Sequence, residues 1–91
     1  MSEPVLKVLA NGTKEWFIDG KFHRIDGPAI EWSNGTKQWW LDGRRHRIDG
    51  PAFEWANNNN KQWWLDGIQL PDAGTYWLIA LQLQQEGSKD E

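Results

Sequence analysis

Residues 44–47 read Arg-Arg-His-Arg, the densest run of cations in the chain. Guanidinium groups pair with phosphate or carboxylate through two parallel hydrogen bonds, and His46 can donate further ones. The chemistry on offer is anion binding by Arg44, Arg45, His46 and Arg47, with Arg24 at the matching place of an earlier stretch. A second chemistry comes from Lys-Gln-Trp-Trp-Leu-Asp, which occurs at 37–42 and again at 61–66. Neighbouring side chains of a strand point to opposite faces. One Trp of each pair can enter a core, which leaves Trp40 and Trp64 as candidate stacking surfaces. Gln38 and Gln62 carry amides that offer both donor and acceptor to a ligand edge.

Other chemistries find no residues to carry them. The chain has no Cys, so disulfides and thiolate metal sites are excluded. His23 and His46 stand far apart with no close ligand pairing, and no metal or cofactor is expected. No nucleophile lies beside a base and no Walker loop is present, so no catalytic residue is assigned and no enzyme is expected. A net charge of −3 argues against a duplex-DNA binder. No apolar run is long enough for a leader or a bilayer span, and a soluble protein of the cytoplasm is expected.

The 91 residues suit one domain, and eight Trp supply an efficient core for so small a chain. The domain is a repeat. Residues 11–33 and 34–57 align at a 23-residue offset, and 58–70 begin a truncated third copy. Trp16, Trp39 and Trp63 are equivalent, as are Phe17, Trp40 and Trp64. Asn11-Gly12 and Asn34-Gly35 predict two-residue type I′ hairpins. Asp-Gly pairs at 19, 42 and 66 mark other strand ends, and Asp-Gly-Pro at 26 and 49 further turns. The fold class is mostly β: an antiparallel meander with strands near 5–10, 13–18, 29–33, 36–41, 52–56 and 61–65. Residues 72–86 predict a C-terminal α-helix, capped by Asp72 or Thr75 and stopped by Gly87, with a final strand over 75–85 as the alternative and a disordered tail over 87–91.

A two-residue turn at Asn34-Gly35 would set Ile30 opposite Trp39 and Glu31 opposite Gln38. One face then carries Ile30, Trp32, Trp39 and Leu41, with Trp16, Ile18, Phe53, Trp55, Trp63 and Leu65 by repeat. This is the expected core. The other carries Ala29, Glu31, Gln38 and Trp40, with Phe17, Gln62 and Trp64 by repeat. Three fates are open to it: cover by the C-terminal segment with Trp77 on Trp40 or Trp64, a homodimer interface, or ligand stacking. In the first hairpin the same rule sets Lys7 opposite Trp16, a poor fit.

His-Arg-Ile-Asp-Gly-Pro-Ala recurs at 23–29 and 46–52. Residues kept in every copy of a repeat commonly make the same turn, so a structural role competes with anion binding here. The copies differ just before it: Lys21-Phe22 in the first, Arg44-Arg45 in the second.

The pattern W-x-x-x-G-x-x-H-R-x-D-G-P-A, present from Trp16 and again from Trp39, resembles a family of tryptophan-rich repeat proteins of tailed phages and large DNA viruses. The likeness covers residues 11 to about 70. Among small phage proteins of this kind it is similar to anti-CBASS sponges, which sequester cyclic dinucleotide signals without cleaving them. The resemblance implies a viral protein acting in the host cytoplasm on a cyclic nucleotide, as a monomer or a dimer. A dinucleotide offers bases to Trp40 and Trp64 and phosphates to the arginines. The alternative is a protein–protein module that binds a host protein through the same Trp and Arg face.

Overall fold

The computed structural model describes residues 3–57 and 60–89. They form the expected antiparallel β-structure with one C-terminal helix. The strands are β1 (Val5–Val8), β2 (Lys14–Ile18), β3 (Lys21–Phe22), β4 (Ile30–Glu31), β5 (Lys37–Gln38), β6 (Trp40–Leu41), β7 (Arg44–Arg45), β8 (Phe53–Glu54), β9 (Lys61–Leu65) and β10 (Ile68–Leu70), followed by α1 (Ala73–Lys89). The molecule is a thin slab of 42 × 37 × 17 Å. Among the described residues no helix is long and apolar enough to cross a membrane.

The two kinds of turn exchange the roles expected of them. Both residues of Asp19-Gly20, Asp42-Gly43 and Asp66-Gly67 have positive φ, the type I′ geometry of a two-residue hairpin. Ile18 accordingly pairs with Lys21, Leu41 with Arg44 and Leu65 with Ile68. These hairpins create β3, β7 and β10, which were not foreseen as strands. The Asn-Gly turns hold three residues instead. Only their glycines, Gly12 and Gly35, are left-handed. Leu9 and Trp32 donate to the carbonyls of Thr13 and Thr36 across the loop. The Asn11 and Asn34 side chains accept from the Thr13 and Thr36 N–H groups at 2.9 Å. An Asn that bonds its own backbone two residues on has no need of a left-handed conformation.

The extra loop residue shifts the expected register by one. Ile30 lies opposite Gln38 and Glu31 opposite Lys37. In the first hairpin Leu6, not Lys7, faces Trp16, which removes the poor fit. A one-residue slip exchanges the faces of a strand. Ile30, Trp32, Phe53 and Trp55 therefore leave the face assigned to them and join Gln38, Trp40, Gln62 and Trp64. Phe53 pairs with both Gln38 and Gln62. It stacks on Trp55 at 3.8 Å and on Trp32 at 6.2 Å between centroids. Trp16, Trp39, Leu41, Trp63 and Leu65 hold the opposite face.

Each copy feeds two ladders. One runs β1-β2-β4-β5-β8-β9-β10, with β3 paired to β2. In the other, Phe22 and Trp40 carbonyls accept from Gly43 and Arg24, which joins β3 to β6. Arg45 and Trp64 carbonyls accept from Gly67 and Arg47, which joins β7 to the end of β9. The branch point is the first Trp of each copy. Trp39 donates its N–H to Ala52 of one ladder and accepts at its carbonyl from His46 of the other; Trp16 does the same with Ala29 and His23. Ala29 and Ala52, packed at these branches, have no exposed surface.

Helix α1 starts at Asp72, whose carboxylate accepts from the Thr75 N–H at 2.7 Å. That backbone bond lowers the Asp72 pKa. The helix continues through the expected stop at Gly87 to Lys89; residues 90 and 91 of the expected tail, and Asn58 and Asn59 of the expected loop, lie outside the described residues. Tyr76 and Ala80 are buried against Leu65, with Ile48, Trp63 and Leu70 around them. The Tyr76 hydroxyl donates to the Arg47 carbonyl and accepts from the Gly50 N–H at 3.2 Å. Gln84 donates to the Ile48 carbonyl at 2.9 Å. The helix thus sits on the Trp63 face, and Trp77 meets the edge of Tyr76 at 5.1 Å. Trp40 and Trp64 lie on the other face.

Candidate functional site

Arg24 and Arg47 sit in equivalent forks between the ladders. Their Nε atoms donate to Asp26 at 3.1 Å and Asp49 at 2.9 Å. Their Nη1 atoms reach the carbonyls of Pro28 and Pro51 and the carboxylates of Glu31 and Glu54, at 2.9–3.3 Å. The guanidinium carbons lie 3.9 Å over Trp16 and 3.7 Å over Trp39. Gly27 and Gly50 close the other side: a Cβ there would come within 2.9 and 2.8 Å of the guanidinium carbon. Each guanidinium is sandwiched between a ring and a glycine, with its side-chain hydrogen bonds directed into its own copy. Cation–π contact of this kind contributes about 0.5–2 kcal/mol.

The histidines join one copy to the next. His23 Nδ1 accepts from the Asp42 N–H at 2.9 Å, and His46 Nδ1 accepts from the Asp66 N–H at 2.8 Å. Both donors belong to type I′ turns. An accepting Nδ1 requires the neutral ring with its proton on Nε2. Burial lowers the His46 pKa, partly offset by Asp66.

Trp40, Trp64, Arg45, Gln38 and Gln62 do come together on the opposite face. Phe17 stacks on Phe22 at 4.8 Å and Phe22 meets Trp40 at 5.5 Å. Arg45 continues the column, 5.1 Å from the Trp40 ring and 4.7 Å from Trp64, with Phe53 also at 5.1 Å. Phe22 of the first copy and Arg45 of the second are equivalent and fill the same place in the column. Gln38 and Gln62 fix the rings, accepting from the indole N–H of Trp40 at 2.7 Å and of Trp64 at 2.9 Å. Arg45 reaches Gln38 only at 3.5 Å, and its Nε is buried with no hydrogen-bond partner among the described residues. That burial lowers the Arg45 pKa.

The Arg-Arg-His-Arg run therefore does not form one cationic cluster. Arg45 faces the column and Arg47 the opposite side, while His46 holds the next turn. Arg44 lies in solvent, paired with Asp66 at 3.0 Å; that hydrogen bond raises its pKa. Both side chains are exposed, and solvent screening leaves such a pair little weight in stability. Arg44 and Arg45 with Trp40, Trp64 and Asp66 border an open depression of about 440 Å³.

A second concavity of about 440 Å³ lies on the Trp39 face, between the two His-Arg-Ile-Asp-Gly loops. Trp39 and Leu41 form its floor and Ile25, Gly27, His46 and Ile48 its walls. Ile25 is 83% exposed at its rim. Of its apolar residues, Trp39 and Leu41 were expected in the core, and none was expected in a site. The available signal was the third copy, where Leu70 replaces the histidine and an apolar helix follows. The chain matches no family model, and neither a curated protein nor a solved structure matches it.

Proposed function

We propose that the chain is a non-catalytic docking module that binds a partner protein through its α1 side. The observation that carries this reading is that residues 76–83 of α1 are apolar on every side but for Gln82. Tyr76 and Ala80 face the sheet, while Trp77, Leu78, Ile79, Leu81 and Leu83 remain exposed, Leu78 by 76% and Leu81 by 51%. A helix apolar all round belongs inside an assembly, and an exposed patch of this kind marks a protein interface. The engagement of Arg24, Arg47, His23 and His46 within the repeat supports a scaffold built to present surfaces. The partner on this reading is a host protein with an apolar groove. A photo-crosslinker in place of Leu78 is expected to capture one discrete host protein, and Leu81→Glu to abolish capture without loss of folding. Self-crosslinking alone, or capture insensitive to Leu81→Glu, would sink the reading.

A second reading rests on a different observation, the partnerless Arg45 Nε beside Trp64 and Arg44. Here the depression takes a phosphate of a cyclic dinucleotide, with Trp64 under a base, and the chain is the viral sponge that the resemblance implies. Calorimetry against cyclic di- and trinucleotides tests it. Tight binding with intact ligand recovered, lost in Arg45→Ala, is the expected result; no heat with any nucleotide excludes it.

A further inference from the structure

Helix α1 docks into a groove that the repeat has built twice. Tyr76 rests on Trp63 and Leu65, flanked by Ile48 and Leu70, and bonds the Arg47 carbonyl and the Gly50 N–H. One copy earlier the same positions are Trp39, Leu41, Ile25, His46, Arg24 and Gly27. All six line the concavity on the Trp39 face. The backbone acceptor and donor are carried by the same His-Arg-Ile-Asp-Gly-Pro-Ala sequence in the same fork. The first groove is a second Tyr76 site without its tyrosine.

We propose that this first-copy groove binds a tyrosine-bearing amphipathic helix of a partner protein. The occupied groove states the chemistry of the occupant. A tyrosine would lay its ring on Trp39 and Leu41, donate to the Arg24 carbonyl and accept from the Gly27 N–H. A small residue four positions on would clear the floor as Ala80 does, and an amide eight positions on would reach the Ile25 carbonyl as Gln84 reaches Ile48. These three share one helix face. His46 in place of Leu70 makes the wall more polar than in the occupied groove. The occupant is another protein because the chain has one tyrosine, and it is buried in its own site. The inference goes beyond the docking reading, since it uses the Trp39 face and not the outer side of α1.

The test uses the intact protein and a synthetic peptide of residues 71–89, the one helix known to fit. Calorimetry and heteronuclear NMR are expected to show saturable one-to-one binding, with shifts at Ile25, Gly27 and Trp39. A Tyr76→Phe peptide, which loses both backbone bonds, is expected to bind roughly tenfold more weakly. Ile25→Glu in the protein, an exposed site that leaves folding unchanged, is expected to abolish binding. Absence of binding to millimolar peptide would overturn the inference. So would binding unaffected by Ile25→Glu, which would mean that the peptide displaces the resident helix. Ultracentrifugation with no peptide adds a further arm: self-association lost in Ile25→Glu would assign the groove to a second copy and overturn a foreign partner. None of these outcomes touches crosslinking through Leu78, so this inference and the docking reading fail separately.

Discussion

The loops at 23–29 and 46–52 have the same seven residues and the same internal bonds, yet different surroundings. In the first, Ile25 stands in solvent; in the second, Ile48 lies beneath Tyr76 and Gly50 is buried. The contrast separates two layers of cause. The fork of Trp, Arg, Asp, Gly, Pro and Glu forms with the same bonds in both copies, whatever lies above it. What the fork touches beyond itself depends on the next segment of chain, a further repeat in one case and a helix in the other.

The largest expected effect comes from removing the cover. Tyr76→Ala should cost about 3–5 kcal/mol, as for other buried rings, whereas Tyr76→Phe should cost about 1–3 kcal/mol by leaving the Gly50 N–H and Arg47 carbonyl unpaired. Urea unfolding measures both. Next come the forks. Arg47→Ala should cost about 3 kcal/mol, from lost charged hydrogen bonds and cation–π contact. Arg24→Ala should cost less, because no helix depends on its loop. Equal losses would mean that the cover adds nothing to the fork.

A smaller change sharpens the contrast between Phe22 and Arg45. Arg45→Phe places the first-copy residue in the second-copy column. It removes a partly buried cation whose Nε has no partner, so stability should rise by about 0.5–1 kcal/mol, read as a higher Tm. The smallest effect is in pH. The folded His46 pKa is lowered, so its contribution is whole above the unfolded value of about 6.5 and is lost as pH falls below it. Tm should therefore decline below that pH. His46→Gln, which keeps an acceptor that does not titrate, should flatten that part of the profile.

The sequence shows the longer strands and the copy boundaries because hydrophobic alternation and turn residues act locally; β3, β7 and β10 are too short to alternate visibly. It misplaces the faces because Asn34-Gly35 is compatible with two-residue and three-residue loops, and the choice lies in a side-chain bond from Asn34 to Thr36. The candidate site divides along the same line. Trp40 and Trp64 share a face as their alternation implies, and Arg45 joins them through the β6–β7 pairing, which the sequence reading did not include. Arg47 turns away from Arg45 because strand β7 ends at Arg45 and the chain bends into the fork. The first-copy groove is invisible in a linear reading, since it appears only when the occupied groove is superposed on it one copy back.

The histidine link carries a consequence for how long such a protein can be. Each of the first two copies carries an imidazole that fastens the turn of its successor, and the third has Leu70 there instead. Growth of the array stops where that fastener is missing, and α1 seals the end. A cassette inserted between Ser33 and Asn34 would meet a fastener on both sides. Length is then a free parameter of the architecture, and every added cassette would bring one more open groove: valency would increase with length while the seal stayed the same.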